Sequence, residues 1–168
     1  IRHIIDFLNG STKKIIKALP ANLTERIKTV NVVVKNIAKQ LDVNHCLILA
    51  VVWTESTFKA SQRSYAGANG VMQVMRRTKR GVALEMGYKL NRLFSANLAR
   101  GLDYHGIENL IIGSYYLKTL KKRFKSSDKA IIAYNIGPTN LSWKLAEDAG
   151  KRYLSKVKIK MALVTVNN

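Results

Sequence analysis

Six consecutive aliphatic residues, Leu47 to Val52, run directly into Trp53, Thr54 and Glu55. A helix that is apolar on every side has no face to offer water, so it must lie in the middle of a fold and be covered by other elements. The stretch starts near Asn44, a residue type that caps helices, and is read as a helix to about Thr57. It falls far short of the roughly 20 apolar residues that a membrane-spanning helix needs. With 168 residues, the chain is long enough to build the cover as one domain.

The cover is legible in the periodicity. Ile27, Val30, Val34, Ile37 and Leu41 recur at spacings of 3, 4, 3 and 4, one face of an amphipathic helix, with Asn22 and Glu25 spaced as a cap and its return partner. Residues 59 to 75 are rich in Ser, Gly, Ala and Asn and read as a loop. A helix is expected from Thr78 to Met86, ended by Gly87, and irregular chain carrying Gly101 from 88 to 105. Leu110, Gly113, Leu117, Leu120 and Phe124 form the next helical stripe. A glycine inside that stripe costs about 1 kcal/mol and implies a close approach to another helix. Ser126 or Ser127 caps a helix over Asp128 to Asn135, stopped by Gly137 and Pro138. Two shorter helices are expected at 139–149 and 151–160. No alternating strand pattern of useful length occurs, so the fold class is all-α. The division expected is an N-terminal helical segment over 1–42, a main domain over 43–160 and a tail over 161–168.

Charge narrows the partners. Twenty-nine Lys and Arg against ten Asp and Glu give a net charge of +19, which draws polyanions: nucleic acid, anionic headgroups, wall polymers or acidic glycans. The single cysteine, Cys46, cannot form an internal disulfide, and His3, His45 and His105 are scattered without ligand spacing, so neither a metal nor any other cofactor is expected. The chain opens Ile1-Arg2-His3, which reads as a processed or truncated product from which any signal peptide is gone.

Glu55 is the residue that could carry chemistry. Its neighbours one and two turns back are Val51, Val52 and Ile48, and a carboxyl group among them loses hydration, which raises its pKa. A carboxylic acid that keeps its proton near neutral pH can protonate a leaving oxygen. From Ser56 to Leu84 there is no Asp or Glu, while Lys59, Arg63, Arg76, Arg77, Lys79 and Arg80 lie in the same stretch. A site built there has one carboxylate, where ordinary glycoside hydrolysis uses two.

Glu55-Ser56, then Gly70-Val71-Met72-Gln73, then Ala133-Tyr134-Asn135 followed by Gly137-Pro138, resemble the catalytic domain of the soluble lytic transglycosylases. Asn109 to Leu117 is similar to that family's N-I-x-x-G-x-x-Y-L helix. The resemblance covers about 43 to 157. Val71 stands where the family has Leu, and Arg76-Arg77-Thr78 where it commonly has Pro-Ala-Thr, so the outer subsites are expected to differ.

The resemblance implies a lysozyme-like, goose-type helical fold with a cleft for peptidoglycan glycan strands. It implies cleavage between N-acetylmuramic acid and N-acetylglucosamine without water, leaving 1,6-anhydro ends. Carried over, Glu55 is acid and then base, Ser64 touches the reacting sugar, and Met72 and Gln73 line the floor. Tyr134 sits close to Glu55, Asn135 helps hold the cleft, and Tyr153 lines its far side. Adjacent Tyr115 and Tyr116 cannot share a helix face, so one packs and the other, taken as Tyr116, reaches the cleft. The family further implies a periplasmic or cell-envelope location, a monomer, and other wall or secretion machinery as partners, with no specific nucleic acid.

Two other readings compete. A goose-type lysozyme would hydrolyse the same bond and needs a second carboxylate, for which Glu85, Asp103 and Glu108 are the mid-chain candidates. A nucleic-acid-binding protein would rest on the +19 charge and on Gly67-Ala68-Asn69-Gly70, which fits the GXXG loop of KH domains but requires a β-sheet.

Overall fold

A computed structural model describes residues 20–97, 103–141 and 144–166. Seven helices occur among them: α1 (Ala21–Leu41), α2 (His45–Ser56), α3 (Arg76–Met86), α4 (Tyr88–Ser95), α5 (Tyr104–Phe124), α6 (Ser127–Ile136) and α7 (Lys144–Val166). The described residues hold only isolated β-bridges, Arg63 with Asn69 and Asn69 with Val74, and no sheet. The β-sheet that a KH domain requires is therefore absent from them.

The apolar run is the axis of the bundle. Ile48, Leu49, Ala50, Val51 and Val52 of α2 are completely buried. Each large aliphatic side chain removed from water in this way contributes about 1.5–3 kcal/mol. Asn44 caps α2, its side chain accepting from the Leu47 amide at 3.1 Å. α1 packs on α2 through Ile27, Val30, Val34, Ile37 and Leu41, and α5 joins the same buried core through Ile107, Leu110, Ile111 and Leu117. α7 packs along α2 and α6.

Four local expectations change. Asn22 is not the cap of α1. The helix starts one residue earlier, and the Pro20 carbonyl accepts from the amides of Leu23 and Thr24 at 2.9 and 3.0 Å. α3 begins at Arg76 rather than Thr78. Residues 88–95 are helical, because Leu90, Leu93 and Phe94 share a face that packs on the core. Buried Asn97 then ties that region to α1, accepting from Asn36 Nδ2 at 2.9 Å and donating to the Leu93 carbonyl at 2.7 Å. Gly101 lies outside the described residues.

The fourth change concerns α7, one helix of 23 residues where two were expected. Gly150, read as a break, is a contact instead: a Cβ there would collide with Ile132 Cγ2 of α6. Its missing side chain lets α6 and α7 approach. The helix then continues past residue 160, with Tyr153, Val157 and Val164 buried along one face.

Candidate active site

α2 ends at Ser56, one turn beyond its apolar run. Thr57 and Phe58 both adopt left-handed backbone conformations (φ 51° and 62°) and turn the chain out of the helix axis. Ser56, buried just before that turn, fastens the helix end to the following loop. Its hydroxyl lies 3.1 Å from the Val52 carbonyl and 2.8 Å from the Val71 carbonyl. Its role is to support the helix end.

The loop of 57–75 is folded by its own backbone and gripped from outside. Asn69 and Val74 exchange two hydrogen bonds, and the Ser64 amide donates to the Ala68 carbonyl. Ser64 Oγ accepts from the Ala68 amide at 3.0 Å, so this exposed side chain also shapes the turn. Gln73, left-handed at φ 47°, places its Nε2 at 2.8 Å from both the Gln62 and Gly70 carbonyls. From α5, Asn109 accepts from the Met72 amide at 2.8 Å and donates to the Asn69 carbonyl at 2.9 Å.

Met72 is completely buried, and its side chain supports the loop from beneath. It lies against Gly113, where a Cβ would come within 2.5 Å of Met72 Sδ. Gly113 therefore makes its close approach to a loop side chain and not to another helix. The methionine exposed beside this region is Met75, which the motif reading passed over.

Glu55 and its neighbours meet at the loop's inner end. Tyr153 of α7 donates its hydroxyl proton to Glu55 Oε1 at 2.6 Å. Tyr134 of α6 donates to the Met72 carbonyl at 2.8 Å, and its ring lies 5.5 Å from that of Tyr116. Lys160 donates to the Trp53 carbonyl at 3.2 Å, its ammonium nitrogen 5.4 Å from the Trp53 ring centroid. Tyr134, Tyr153 and Tyr116 thus gather around the Glu55 end of α2. Asn135 is exposed on α6 and Ser64 is out in the loop. Lys160 was not singled out from the sequence. The available signal was its spacing of seven from Tyr153, two helical turns along one face.

Electrostatics follow from burial. Desolvation raises the Glu55 pKa above the ordinary carboxylate value, opposed by the Tyr153 hydrogen bond and by the positive charge of Lys160. Tyr134 and Tyr153 are pushed well above the ordinary phenol value, chiefly by burial and then by the charge of Glu55. Both remain protonated donors at neutral pH. Burial also raises Tyr116, against the pull of Arg123.

The candidate second carboxylates are engaged elsewhere. Glu85 accepts from Tyr115 at 3.0 Å, Glu108 pairs with Lys79 at 2.6 Å, and Asp103 caps α5 through the Gly106 amide at 2.6 Å. The arrangement around Glu55 can hold one carboxyl group neutral, aim it, and exchange its proton. Beside the loop, Arg63, Ser64, Met75, Arg76, Arg77 and His105 help line a recess of about 730 Å³ with a basic wall.

Comparison with known proteins gives a consistent result. A family model described as the transglycosylase SLT domain matches residues 33–156. Membrane-bound lytic murein transglycosylase C from Actinobacillus pleuropneumoniae serotype 5b (strain L20), and its counterpart from serotype 3 (strain JL03), are each 28% identical over 125 residues. The match covers 73% of this chain and 34% of each relative, so the chain spans about a third of their length. Among solved structures, an inactive mutant of lytic transglycosylase Slt from Pseudomonas aeruginosa superposes with a TM-score of 0.62 at 22% identity. It covers 77% of this chain and 23% of that one, and it shares the helical, lysozyme-like fold.

Proposed function

The chain belongs to the transglycosylase SLT domain family, and from that premise we propose that it is a peptidoglycan lytic transglycosylase, a carbon–oxygen lyase acting on the glycan strand of the cell wall. The observation that carries the reading is Glu55, a partly desolvated carboxyl group held by Tyr153, with Glu85, Asp103 and Glu108 committed to other partners. The names of the relatives, murein transglycosylases, and of the superposed structure support the same substrate.

Protonated Glu55 gives its proton to the oxygen between N-acetylmuramic acid C1 and N-acetylglucosamine C4. The C1–oxygen bond breaks, and the N-acetyl group of the muramic sugar stabilises the positive charge at C1. The C6 hydroxyl of the same sugar then attacks C1 while the Glu55 carboxylate takes its proton. A 1,6-anhydro ring closes, Glu55 is protonated again, and no water enters. The attack lies within one bound sugar, and held geometry can lower such a barrier by several kcal/mol.

Tyr153 aims the carboxyl group, and Tyr134 holds the loop beside it by the Met72 carbonyl. Gln73 and Ser64 hold the loop that meets the sugar, Met72 supports it from below, and Asn135 and Tyr116 complete the α5–α6 side. The +19 charge favours a strand that bears lactyl and peptide carboxylates. Such a substrate places the enzyme in the cell envelope of a bacterium.

Product chemistry tests the proposal. Purified peptidoglycan digested by the protein should release muropeptides ending in 1,6-anhydro-N-acetylmuramic acid. These are lighter by one water than hydrolytic ends and resist borohydride. Mainly reducible muramic acid ends would reject this reading and establish hydrolysis.

A further inference from the structure

We propose that Lys160 is a positioning residue for Glu55: its ammonium group, fastened to the last turn of α2, sets how readily the carboxyl group gives up its proton and takes it back. The inference deepens the transglycosylase reading and rests on it for its catalytic meaning. Its physical content does not depend on that reading.

The placement comes from two helices. Tyr153 and Lys160 stand seven residues apart on α7, so they share the face pressed against α2. Tyr153 reaches the Glu55 carboxyl group, and Lys160 reaches the Trp53 carbonyl two residues before it. That carbonyl also accepts from the Thr57 amide, so Lys160 sits at the C-terminal end of α2, where the helix carries partial negative charge. The flat side of Trp53 holds the ammonium group in place. Anchored on both sides, a flexible lysine becomes a fixed charge at the end of the helix that carries Glu55.

A carboxyl group that must act first as acid and then as base needs opposing influences. Burial favours its neutral form, whereas Lys160 and the Tyr153 hydrogen bond favour the carboxylate. Tyr134 and Tyr153, which face it from α6 and α7, stay protonated and contribute no charge at neutral pH. Lys156, one turn before Lys160, acts on Lys160, where it adds to burial in disfavouring the ammonium form, while Glu55 favours that form. The pair is therefore reciprocal: each charge favours the ionised form of the other, against the desolvation that both experience.

The test follows the Glu55 carboxyl carbon through a pH titration by NMR in the full chain, with its signal assigned by its loss in Glu55→Gln. Lys160→Gln should move the Glu55 midpoint upward, and Lys160→Met, which keeps the aliphatic stem over Trp53, should do the same. Lys160→Arg should keep it close to wild type, and Lys156→Gln should move it less than Lys160→Gln. The alkaline limb of the wall-cleavage profile should follow each midpoint. An unmoved midpoint in folded Lys160→Gln and Lys160→Met would overturn the proposal. So would an equal upward shift in Lys160→Arg, because packing rather than charge would then be responsible. Anhydro products with an unmoved midpoint sink this inference alone. A moved midpoint with reducible products sinks only the transglycosylase reading.

Discussion

At its N-terminal end, α2 borders a recess of about 610 Å³ whose walls include Val43, Leu47, Leu117, Ile131 and Met161. At its C-terminal end, the same helix carries Glu55 into a web of hydroxyl groups and backbone carbonyls. The first end has room and apolar walls, and two of its lysines are engaged. Lys158 pairs with Asp128 at 2.6 Å, and Lys118 donates to the Leu41 carbonyl at 2.7 Å. The second end has a carboxyl group pulled part-way out of water. Open volume is a by-product of how helices end. Reactivity requires a titratable group whose two protonation states are closely balanced, and only the C-terminal end supplies one bonded to a buried phenol.

The strongest way to break this contrast is Glu55→Gln. It keeps the shape and can still accept from Tyr153, yet it cannot move a proton. Wall digestion should fall by about 100-fold or more, with the helical circular dichroism unchanged. Stability should move the other way. The folded-state pKa of Glu55 is raised, so wild type gains stability as pH falls through that value towards the ordinary carboxylate value and loses it as pH rises. At neutral pH the variant should therefore melt higher than wild type, and that pH-dependent component should vanish from its melting curve. Undiminished digestion by the folded variant would move the chemistry away from this end of α2.

Gly113→Ala attacks the support beneath the loop. The new methyl group meets Met72, which is completely buried and has little freedom to retreat. Such overpacking costs about 1–3 kcal/mol, read by denaturant titration. Activity should fall as well, because the carbonyl that Tyr134 grips belongs to the displaced residue.

Tyr153→Phe is finer. Loss of one hydrogen bond to Glu55 corresponds to about 1–1.5 kcal/mol, or roughly a tenfold loss of activity if the bond also aims the acid. That bond lowers the Glu55 pKa, so its removal should shift the alkaline limb of the rate profile upward. The smallest effect on activity is expected from Leu47→Asn, at the opposite end. Placing an amide against the apolar recess should cost about 1–2 kcal/mol of stability while kcat and KM stay at wild-type values. A drop in kcat there would make the recess part of the working site.

Much of this architecture could be read from residue order, because the strongest signals were local. The α2 run, the α1 stripe and the Ser126 cap each depend on neighbours within a few positions, and each stands where expected. Failures occurred where a distant partner decides. Gly150 looks like a helix stop until Ile132 is seen against it. Gly113 looks like a helix–helix contact until Met72 of the loop is seen against it. Residues 88–95 form too short a stripe to stand out without the core on which Leu93 packs. At the site, the motifs pointed to Glu55 and Tyr134, and the family resemblance to Tyr153. Lys160 belongs to no motif, because its importance lies in where α7 passes the end of α2.

The loop between α2 and α3 is clamped mainly by its main chain. Ser56, Gln73, Asn109 and Tyr134 bond to carbonyls and amides of residues 62, 69, 70, 71 and 72, groups that are identical whatever side chain each position bears. Positions such as Arg63, Tyr65 and Ala66 lie exposed in the same loop. Mutational drift at them leaves every clamp closed. A lineage can therefore change the exposed face of this loop without renegotiating the fold, and a library randomised at these three positions should yield mostly folded proteins.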